Sequence, residues 1–310
     1  MTSTTASTDS PARLPVGRLA PSPTGPLHLG HAYAFLHAWW WTRSREGSVL
    51  LRFDDLDASR CRPEYQDLAL RDLEWLGIEW SGSPLLQSSR TAAYAAALDS
   101  LERSPRTFGC RCTRRELEAV AAPHPGEEVQ YPGTCRDLGL QGPALRLRVP
   151  PGLLEVDEHC AAEREVDLAA QGGDFLVRSR AGVPSYQLVT ALDDAHQGVT
   201  EVARGRDLLV SMARQDLLRE ELDLPRVSSA HLPLVVDASG RRLAKRALDL
   251  SLEGLRESGV DPVRILAWAL ECDFEGASVA EAHSLTLKSY RLPEEADRIA
   301  PTVDALRSRS

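Results

Sequence analysis

The hydrophobic pattern near the start of the chain alternates between short apolar runs and helical stretches. An apolar segment at residues 15–19 and the run Ser48–Phe53, which turn-forming residues bound, predict two buried strands. Helices are predicted over residues 30–45, from Pro63 to about residue 76, and over Thr91–Glu102. This alternation of strands and helices is typical of a parallel α/β sheet.

The pattern changes after residue 105. Residues 106–183 are rich in loops and contain short strand-like runs such as 144–149, and a buried apolar run resumes over residues 185–192. A helix over 208–222 and a strand over 232–236 follow. Leu252–Glu257 and Pro262–Leu270 are predicted to form two short helices. The sequence therefore predicts one α/β domain that a smaller domain interrupts.

Six segments follow from these changes. They are a disordered tail (1–13), the first half of a Rossmann-type domain (14–105), an inserted domain (106–184), the second half of the Rossmann-type domain (185–250), a short helical subdomain (251–272) and a polar C-terminal tail (273–310).

Composition excludes several classes of protein. Hydrophobic residues make up 43% and charged residues 26% of the 310 residues, which is usual for a globular protein and excludes wholesale disorder or a fibrous repeat. The formal net charge of −9 disfavours a nonspecific binder of polyanions, although a local basic patch can still bind nucleic acid. The first residues carry no secretory signal, so a cytoplasmic protein with reduced thiols is expected.

The first motif with chemical meaning spans residues 20–31 and reads APSPTGPLHLGH. His28 and His31 flank Gly30 where a predicted strand has ended and a helix begins, and a helix N-terminus favours phosphate binding. Glycine at position 30 would let a nucleotide approach the backbone. The alternative is a proline-rich loop ahead of a core helix.

The second motif is the loop at residues 240–246, which reads GRRLAKR. Only Lys245 and Lys288 are lysines among 36 basic residues, so a lysine in this loop is notable against a strong preference for arginine. A lysine on such a loop fits a clamp for a polyphosphate. The alternative is a solvated basic loop.

These two motifs, in this order and at this separation, resemble the signature pair of the class I aminoacyl-tRNA synthetases. The segment GRLAPSPTG at residues 17–25 narrows the resemblance to the glutamyl branch, and the resemblance covers about residues 16–270. It implies a Rossmann-type catalytic domain in which His28, Gly30, His31 and Lys245 bind ATP, with Mg²⁺. It further implies that His28, His31 and Lys245 serve catalysis while the carboxylate of the amino acid attacks the α-phosphate.

The same resemblance implies a glutamate site. The segment RFDDLD at residues 52–57 places carboxylates at the end of a strand, and Asp54 stands where the family has glutamate near the substrate ammonium. Arginine is suited to bidentate recognition of a carboxylate. The residues that the resemblance assigns to glutamate are Arg18, Ala20, Ser22, Asp54, Tyr186 and Arg204.

Three thiols in the predicted insertion suggest a metal site. Cys110 and Cys112 with the later Cys135 supply three ligands of a tetrahedral zinc site and leave a fourth place open. By residue type alone, His124, His159 or Cys160 could fill that place. The resemblance assigns it to Tyr131, so that one structural Zn²⁺ would hold together a small α+β insertion of the acceptor-binding type.

Only 65 residues follow Lys245, which is too few for the anticodon-reading region of a complete glutamyl enzyme, and segment 193–207 resembles the shortened glutamyl-queuosine branch of the family. That branch implies a monomeric, ATP-dependent ligase. It would form glutamyl-adenylate without tRNA and transfer glutamate to the cyclopentenediol of queuosine at the wobble position of tRNA(Asp). The alternatives are a minimal enzyme that charges a tRNA 3′ end and a non-catalytic tRNA-binding relative.

Two further features bear on tRNA. The triple tryptophan at residues 39–41 is interpreted as core packing and not as a base-stacking surface, because successive helical residues point in different directions. A local basic patch would have to bind the tRNA phosphates. Its candidates are Arg111, Arg114, Arg115, Arg136, Arg241 and Arg242.

Overall fold

A computed structural model describes residues 13–121, 130–241, 243, 250–294 and 296–307. The strands are β1 (Val16–Leu19), β2 (Ser48–Phe53), β3 (Leu85–Leu86), β4 (Thr107–Cys110), β5 (Ala144–Leu147), β6 (Leu154–Glu155), β7 (Glu165–Val166), β8 (Phe175–Arg178), β9 (Glu201–Gly205), β10 (Ser228–Leu232), β11 (Val235–Val236) and β12 (Arg298–Ile299). The helices are α1 (Leu29–Arg43), α2 (Pro63–Trp75), α3 (Thr91–Glu102), α4 (Arg114–Ala121), α5 (Tyr186–Gln197), α6 (Leu209–Glu221), α7 (Leu252–Glu257), α8 (Pro262–Leu270), α9 (Val279–Leu287) and α10 (Val303–Arg307). Residues 1–12 of the predicted tail, His124, Arg242 and Lys245 lie outside the described residues.

The central layer is a parallel sheet, as the sequence predicts. Strands β3, β2 and β1 pair in parallel in that order, and β9 pairs in parallel with β10. The two groups meet where the amide of Thr200, just before β9, donates to the carbonyl of Val16 in β1 at 2.8 Å. The strands therefore follow one another outwards from β1 on one side and from β9 on the other, so the strand order reverses between β1 and β9. Ligands of open α/β sheets bind at such a switch point.

Most predicted elements of this domain are confirmed. Strand β2 and helix α3 have the predicted bounds, and α1 buries all three tryptophans of residues 39–41, which supports packing over base stacking. The predicted strand over 232–236 is wrong as a single element. Pro233 separates β10 from β11, because proline has no amide hydrogen for a sheet ladder.

The predicted insertion contains an antiparallel sheet of β4, β5 and β8 and a small pair of β6 with β7. Its apolar face does not form a core of its own. Leu145, Leu147 and Val177 from this sheet pack in one buried cluster with Leu188 of α5 and Leu218 of α6. A sheet this small buries too little surface to stand alone, so it shares the core of the Rossmann-type domain.

The polar segment after Asp273 contains ordered elements that the sequence analysis did not predict. The ring of His283 in α9 accepts from Trp40 Nε1 at 2.9 Å and pairs with the carbonyl of Leu76 at 2.8 Å. Strand β12 pairs in parallel with β11. The segment is therefore tied to helix α1 and to the sheet. None of the helices in the described part of the chain combines the length and apolar character that crossing a membrane requires.

Candidate active site and metal centre

A cavity of about 390 Å³ lies at the carboxyl ends of β1, β2, β9 and β10, at the switch point of the sheet. It brings together every residue of the predicted glutamate and ATP sites that the structure describes. These residues are Arg18, Ala20, Ser22, His28, Gly30, His31, Asp54, Tyr186 and Arg204. Lys245, the remaining predicted residue, lies outside the described part of the chain.

The two histidines of the first motif form the N-terminus of α1. His28 is the N-cap, and its Nδ1 accepts from the amide of Gly30 at 3.1 Å. His31 Nδ1 in turn accepts from the amide of His28 at 3.1 Å. Because both Nδ1 atoms accept, each ring in its neutral form carries its proton on Nε2. The ring centroids lie 3.9 Å apart, so the pair acts as one unit.

Gly30 has a local role in addition to the expected one. A Cβ at position 30 would lie 3.0 Å from Cε1 and 3.1 Å from Nδ1 of His28. The missing side chain therefore makes room for the His28 ring that caps the helix. The approach of a nucleotide to the backbone at Gly30, which lines the cavity, stays a prediction.

Arg18 belongs to a buried ionic network behind the cavity. Its Nε lies 3.3 Å from Asp194 Oδ1, and Asp194 also binds Arg52 at 2.7 Å and Arg219 at 3.2 Å. Burial alone would raise the pKa of Asp194, but the three guanidinium groups lower it to about 2. One carboxylate faces three guanidinium groups, so Asp194 stays ionised and positions Arg18 at the cavity wall.

Asp54 directly follows β2 and contacts the same network. Arg52 Nε donates to Asp54 Oδ1 at 2.9 Å, and the Asp54 amide donates to the carbonyl of Pro21 at 3.0 Å. Burial raises the pKa of Asp54, although the neighbouring Arg52 opposes the shift. The structure thus places Asp54, where the family has glutamate, on the cavity wall. Arg52 holds its carboxylate there.

Arg204 in β9 is a buried cation whose hydrogen-bond partners among the described residues are all uncharged. It donates to His231 Nε2 at 3.3 Å, to Gln215 Oε1 at 3.1 Å and to Met212 Sδ at 3.2 Å. Its Nη1 is buried and has no partner in the described structure, and burial lowers its pKa. A buried guanidinium without a carboxylate in direct contact is costly, so an anion bound at this wall of the cavity would stabilise it.

Tyr186 connects the cavity to a second one. It is the first residue of α5, has 42% of its surface exposed, and lines both the first cavity and another of about 720 Å³. The second cavity lies against the insertion and includes Arg114, Arg180 and Gln187. Tyr186 is therefore a wall residue that the two cavities share.

The thiols of the insertion form one cluster. The Sγ atoms of Cys110, Cys112 and Cys135 lie within 4.8 Å of one another, with 3.6 Å between those of Cys112 and Cys135. Tyr131 Oη lies 3.8 Å from Cys110 Sγ and accepts from the Cys135 amide at 2.8 Å. A zinc tetrahedron with Zn–S bonds of about 2.3 Å has edges of about 3.8 Å. The donor set and these spacings therefore fit Zn²⁺.

The described alternatives for the fourth ligand have other surroundings. His159 lies 5.6 Å from the Trp41 ring and 3.5 Å from the carboxylate of Asp157. Cys160 Sγ donates to the carbonyl of Pro293 at 3.5 Å. Neither joins the group of thiols, whereas Tyr131 packs in the same small cluster as Cys110 and Cys135.

The candidate basic patch is only partly available to a partner. Arg111, Arg114 and Arg115 are exposed. Arg136 is half-buried, with its Nη1 2.5 Å from Asp174 Oδ1, so it holds the insertion together. Arg241 is exposed and forms an ion pair with Asp237 at 3.3 Å.

Sequence reasoning missed the residues that orient the site from behind. Asp194 enters the sequence-based prediction only as part of segment 193–207, and no role is predicted for Glu158, His231 or Arg219. Each is fully or almost fully buried and makes its contacts over long distances along the chain. The usable signal was the presence of charged residues inside apolar stretches, because a buried charge needs a partner.

Comparison with known proteins gives a consistent family. The model of the catalytic domain of class I tRNA synthetases (E and Q) matches residues 16–286. A glutamyl-Q tRNA(Asp) synthetase of Nitratidesulfovibrio vulgaris is 42% identical over 272 residues, which cover 81% of this chain and 84% of that protein. A protein of the same name from Methylococcus capsulatus is 45% identical over 235 residues, covering 74% of this chain and 76% of its own length.

A solved structure shares the fold. The glutamate tRNA ligase of Elizabethkingia meningosepticum, determined in complex with its amino acid, superposes with a TM-score of 0.78 at 22% sequence identity. The match covers 95% of this chain and 69% of that one. At this level of identity the likeness shows the fold alone.

Proposed function

Since the chain belongs to the class I tRNA synthetases (E and Q) and, among them, to the glutamyl-Q tRNA(Asp) synthetases, we propose that it activates L-glutamate with ATP and transfers it to queuosine in tRNA(Asp). The glutamate carboxylate attacks the α-phosphate of ATP, glutamyl-adenylate forms and pyrophosphate leaves. A hydroxyl of the cyclopentenediol then attacks the carbonyl carbon, and AMP leaves. No protein nucleophile is required, because positioning and charge stabilisation carry both steps.

One observation carries the proposal for glutamate. Arg204 is a buried guanidinium on the cavity wall, and its Nη1 has no partner in the described structure. A carboxylate placed there would meet Arg204 and the neighbouring Arg18 together, with charge-assisted hydrogen bonds. The α-carboxylate must remain free to react, so we assign the side-chain carboxylate of glutamate to these two arginines.

The rest of the amino acid follows from that placement. Asp54, which follows β2 and also lines the cavity, supplies the charge for the substrate ammonium. Ala20 and Ser22 form the loop after β1 that lines the cavity, and Tyr186 closes its outer side. The α-carboxylate then faces His28 at the N-terminus of α1.

We assign the ATP site to the two histidines and the lysine loop. The Nε2 donors of His28 and His31 lie at a helix N-terminus, whose partial positive charge also favours phosphate. Lys245 would add an ammonium charge as the transition state becomes more negative. With Mg²⁺, which ATP brings, these groups stabilise the departing pyrophosphate.

We propose that tRNA reaches the adenylate through the second cavity, past Tyr186. That cavity faces the insertion and carries arginines such as Arg114 and Arg180 at its rim, which suit phosphate contacts. We further propose that Zn²⁺ bound by Cys110, Cys112, Cys135 and Tyr131 holds this part of the insertion in shape. A cytoplasmic location and a monomeric state remain predictions.

The exchange of pyrophosphate into ATP tests the first step. We expect exchange that depends on glutamate and needs no tRNA, because the described cavity contains the amino-acid site without any RNA contribution. Aspartate and glutamine serve as matched amino-acid controls. Exchange with either of these but not with glutamate would contradict the proposal that glutamate is the substrate. No exchange with any amino acid would contradict the proposal that the protein is an enzyme that activates amino acids.

A further inference from the structure

Behind the substrate cavity, a carboxylate, an imidazole and a guanidinium lie in line across the edge of the parallel sheet. Glu158 Oε2 lies 2.6 Å from His231 Nδ1, and His231 Nε2 lies 3.3 Å from Arg204 Nε. Glu158 and His231 have 0% and 1% of their surface exposed, and Arg204 has 5%. The line ends at the cavity wall, where Arg204 is the proposed carboxylate ligand.

The fold sets this line. His231 in β10 and Arg204 in β9 are direct partners in the parallel register. On the side of β10 away from β9, Glu158 forms a parallel β-bridge with Ser229. The amide of Ser229 donates to the carbonyl of Asp157 at 2.7 Å. A short segment of the predicted insertion thus returns to the sheet and carries the carboxylate that meets His231.

Hydrogen bonding fixes the role of each oxygen of Glu158. Oε1 accepts from the amides of Cys160, Ala161 and His231 at 2.8–2.9 Å. Oε2 accepts from Ser229 Oγ at 2.8 Å and from the His231 ring. Burial would raise the pKa of Glu158, but these donors, the His231 ring first among them, lower it to about 2. Glu158 is therefore an ionised acceptor in every contact.

The acceptor role of Glu158 determines the tautomer of His231. Nδ1 must carry the proton that it donates to Glu158, and Nε2 is then a lone-pair acceptor for Arg204. Burial and the charge of Arg204 lower the pKa of His231, in agreement with a neutral ring. The backbone of Leu208 acts in the opposite sense and raises the pKa of the ring.

We propose that Glu158 and His231 are positioning residues that hold Arg204 in place for the substrate carboxylate without neutralising its charge. A carboxylate in direct contact with Arg204 would compete with the substrate for the guanidinium. The neutral imidazole of His231, which lies between Glu158 and Arg204, orients Nε of Arg204 and leaves its Nη1 for the substrate carboxylate. Arg18 differs, because Asp194 contacts it directly. The proposal rests on the proposed glutamate site.

We call the line Glu158–His231–Arg204 the relay, because the position of one proton is passed on from residue to residue as a hydrogen-bonding role. The isosteric change Glu158→Gln tests it. The three backbone amides keep the glutamine carbonyl oxygen, so the NH₂ group faces His231, and Nδ1 must become an acceptor. The proton then moves to Nε2, where it meets the N–H of Arg204. We expect a rise of about 10- to 100-fold in the KM for glutamate in pyrophosphate exchange, as for a buried donor left unsatisfied. The KM for ATP should stay within about 2-fold.

Ser229→Ala is the matched control. It removes the other hydrogen bond to Glu158 Oε2 and leaves the tautomer of His231 unchanged. We expect its KM for glutamate to remain that of the wild type. A purely structural role would lower the active fraction of both variants without moving either KM. An unchanged KM for glutamate in Glu158→Gln overturns the relay and leaves the proposed function standing.

Imidazole ¹⁵N NMR gives a second readout that does not depend on activity. Labelled histidine reports which ring nitrogen carries the proton, and His231→Asn assigns the signal. We expect Nδ1–H in the wild type and Nε2–H in Glu158→Gln. An Nε2–H or doubly protonated His231 in the wild type overturns the relay. If the wild type shows no exchange with glutamate, the proposed function fails, and this spectrum still decides the relay.

Discussion

Arg52 and Asp194 lie 142 positions apart in the chain and form a fully buried ion pair, with Nη1 2.7 Å from Oδ1. The pair joins strand β2 to helix α5. The same carboxylate also binds Arg18 and Arg219, so one acidic residue from the second half of the Rossmann-type domain organises three cations. The proposed glutamate site therefore depends on contacts between the two predicted halves of the Rossmann-type domain.

Acid unfolding should report this network. The pKa of Asp194 is lowered to about 2 in the folded protein, from a usual value of 3.8. The folded state then binds fewer protons than the unfolded state below about pH 4, so this contribution is complete above pH 4 and is lost as the pH falls through 2. The shift corresponds to about 2 kcal/mol of the free energy of unfolding.

Urea unfolding between pH 5 and pH 2.5 measures that contribution. The wild type should lose stability more steeply with falling pH than Asp194→Asn, which should also be less stable throughout because three guanidinium groups lose their carboxylate. Carboxylates outside this network titrate in both proteins and cancel in the comparison, whereas Asp54 and Asp216 share arginines with Asp194 and belong to the measured contribution. Equal slopes in the two proteins would contradict the role given to Asp194.

Much of the secondary structure in the first half of the Rossmann-type domain could be predicted, because its sequence signals are local. Ser48–Phe53 is a continuous apolar run between turns, and Pro63 opens a helix with a regular apolar face, so strand β2 and helix α2 follow from nearby residues alone. The motif at residues 20–31 is also local. Its histidines form both halves of a capping box, and this pairing places them at the cavity.

What the sequence could not predict depends on contacts between distant residues. Glu158 meets His231 across 73 positions, and no local pattern indicates that pair. The shared core of the insertion arises in the same way. Helix α9 is a different case, because Ser278 and Glu281 form a capping box whose S-x-x-E signature was available in the sequence.

Gly30→Ala should weaken ATP binding. The new Cβ would lie about 3.0 Å from the His28 ring, so the ring must shift by a few tenths of an ångström and its N-cap hydrogen bond weakens. Complete loss of a cap costs about 1 kcal/mol, which is the upper limit of the effect. We therefore expect a rise of up to about 5-fold in the KM for ATP in pyrophosphate exchange.

Gly25→Ala is the control in the same loop, because among the described residues no atom outside its chain neighbours lies within 4 Å of a Cβ at that position. Its KM for ATP should equal that of the wild type. If both variants behave alike, the close packing of His28 against Gly30 has no role in the site.

Purified protein should contain one Zn²⁺ per chain. Cys135→Ser should lower the metal content, whereas the exposed Cys272, which lies outside the cluster, can be changed to serine without loss. Tyr131→Phe should weaken zinc binding by about 10- to 100-fold without abolishing it, because three thiolates remain. Elemental analysis with thiol titration decides the matter, and folded wild-type protein with free thiols and no zinc would refute the assignment.

Lys245→Ala should lower the rate of exchange by about 100- to 1,000-fold, as expected for the loss of one charge donor in the transition state. Lys288, the other lysine of the chain, is exposed at the end of α9 and serves as the control, with no expected change on substitution by alanine. Lys245→Arg separates charge from shape. Wild-type activity in that variant would contradict the inference that an ammonium group, and not a guanidinium, is needed at position 245.

The site of glutamate attachment tests the central claim most directly. Queuosine-containing tRNA(Asp) is incubated with the protein, ATP and labelled glutamate, then digested with nuclease, and the wobble nucleoside is weighed by mass spectrometry. We predict a nucleoside heavier by one glutamyl group, and no such product from tRNA(Asp) with unmodified guanine at that position. Glutamate on the 3′-terminal adenosine, or equal transfer to the unmodified tRNA, would contradict the account.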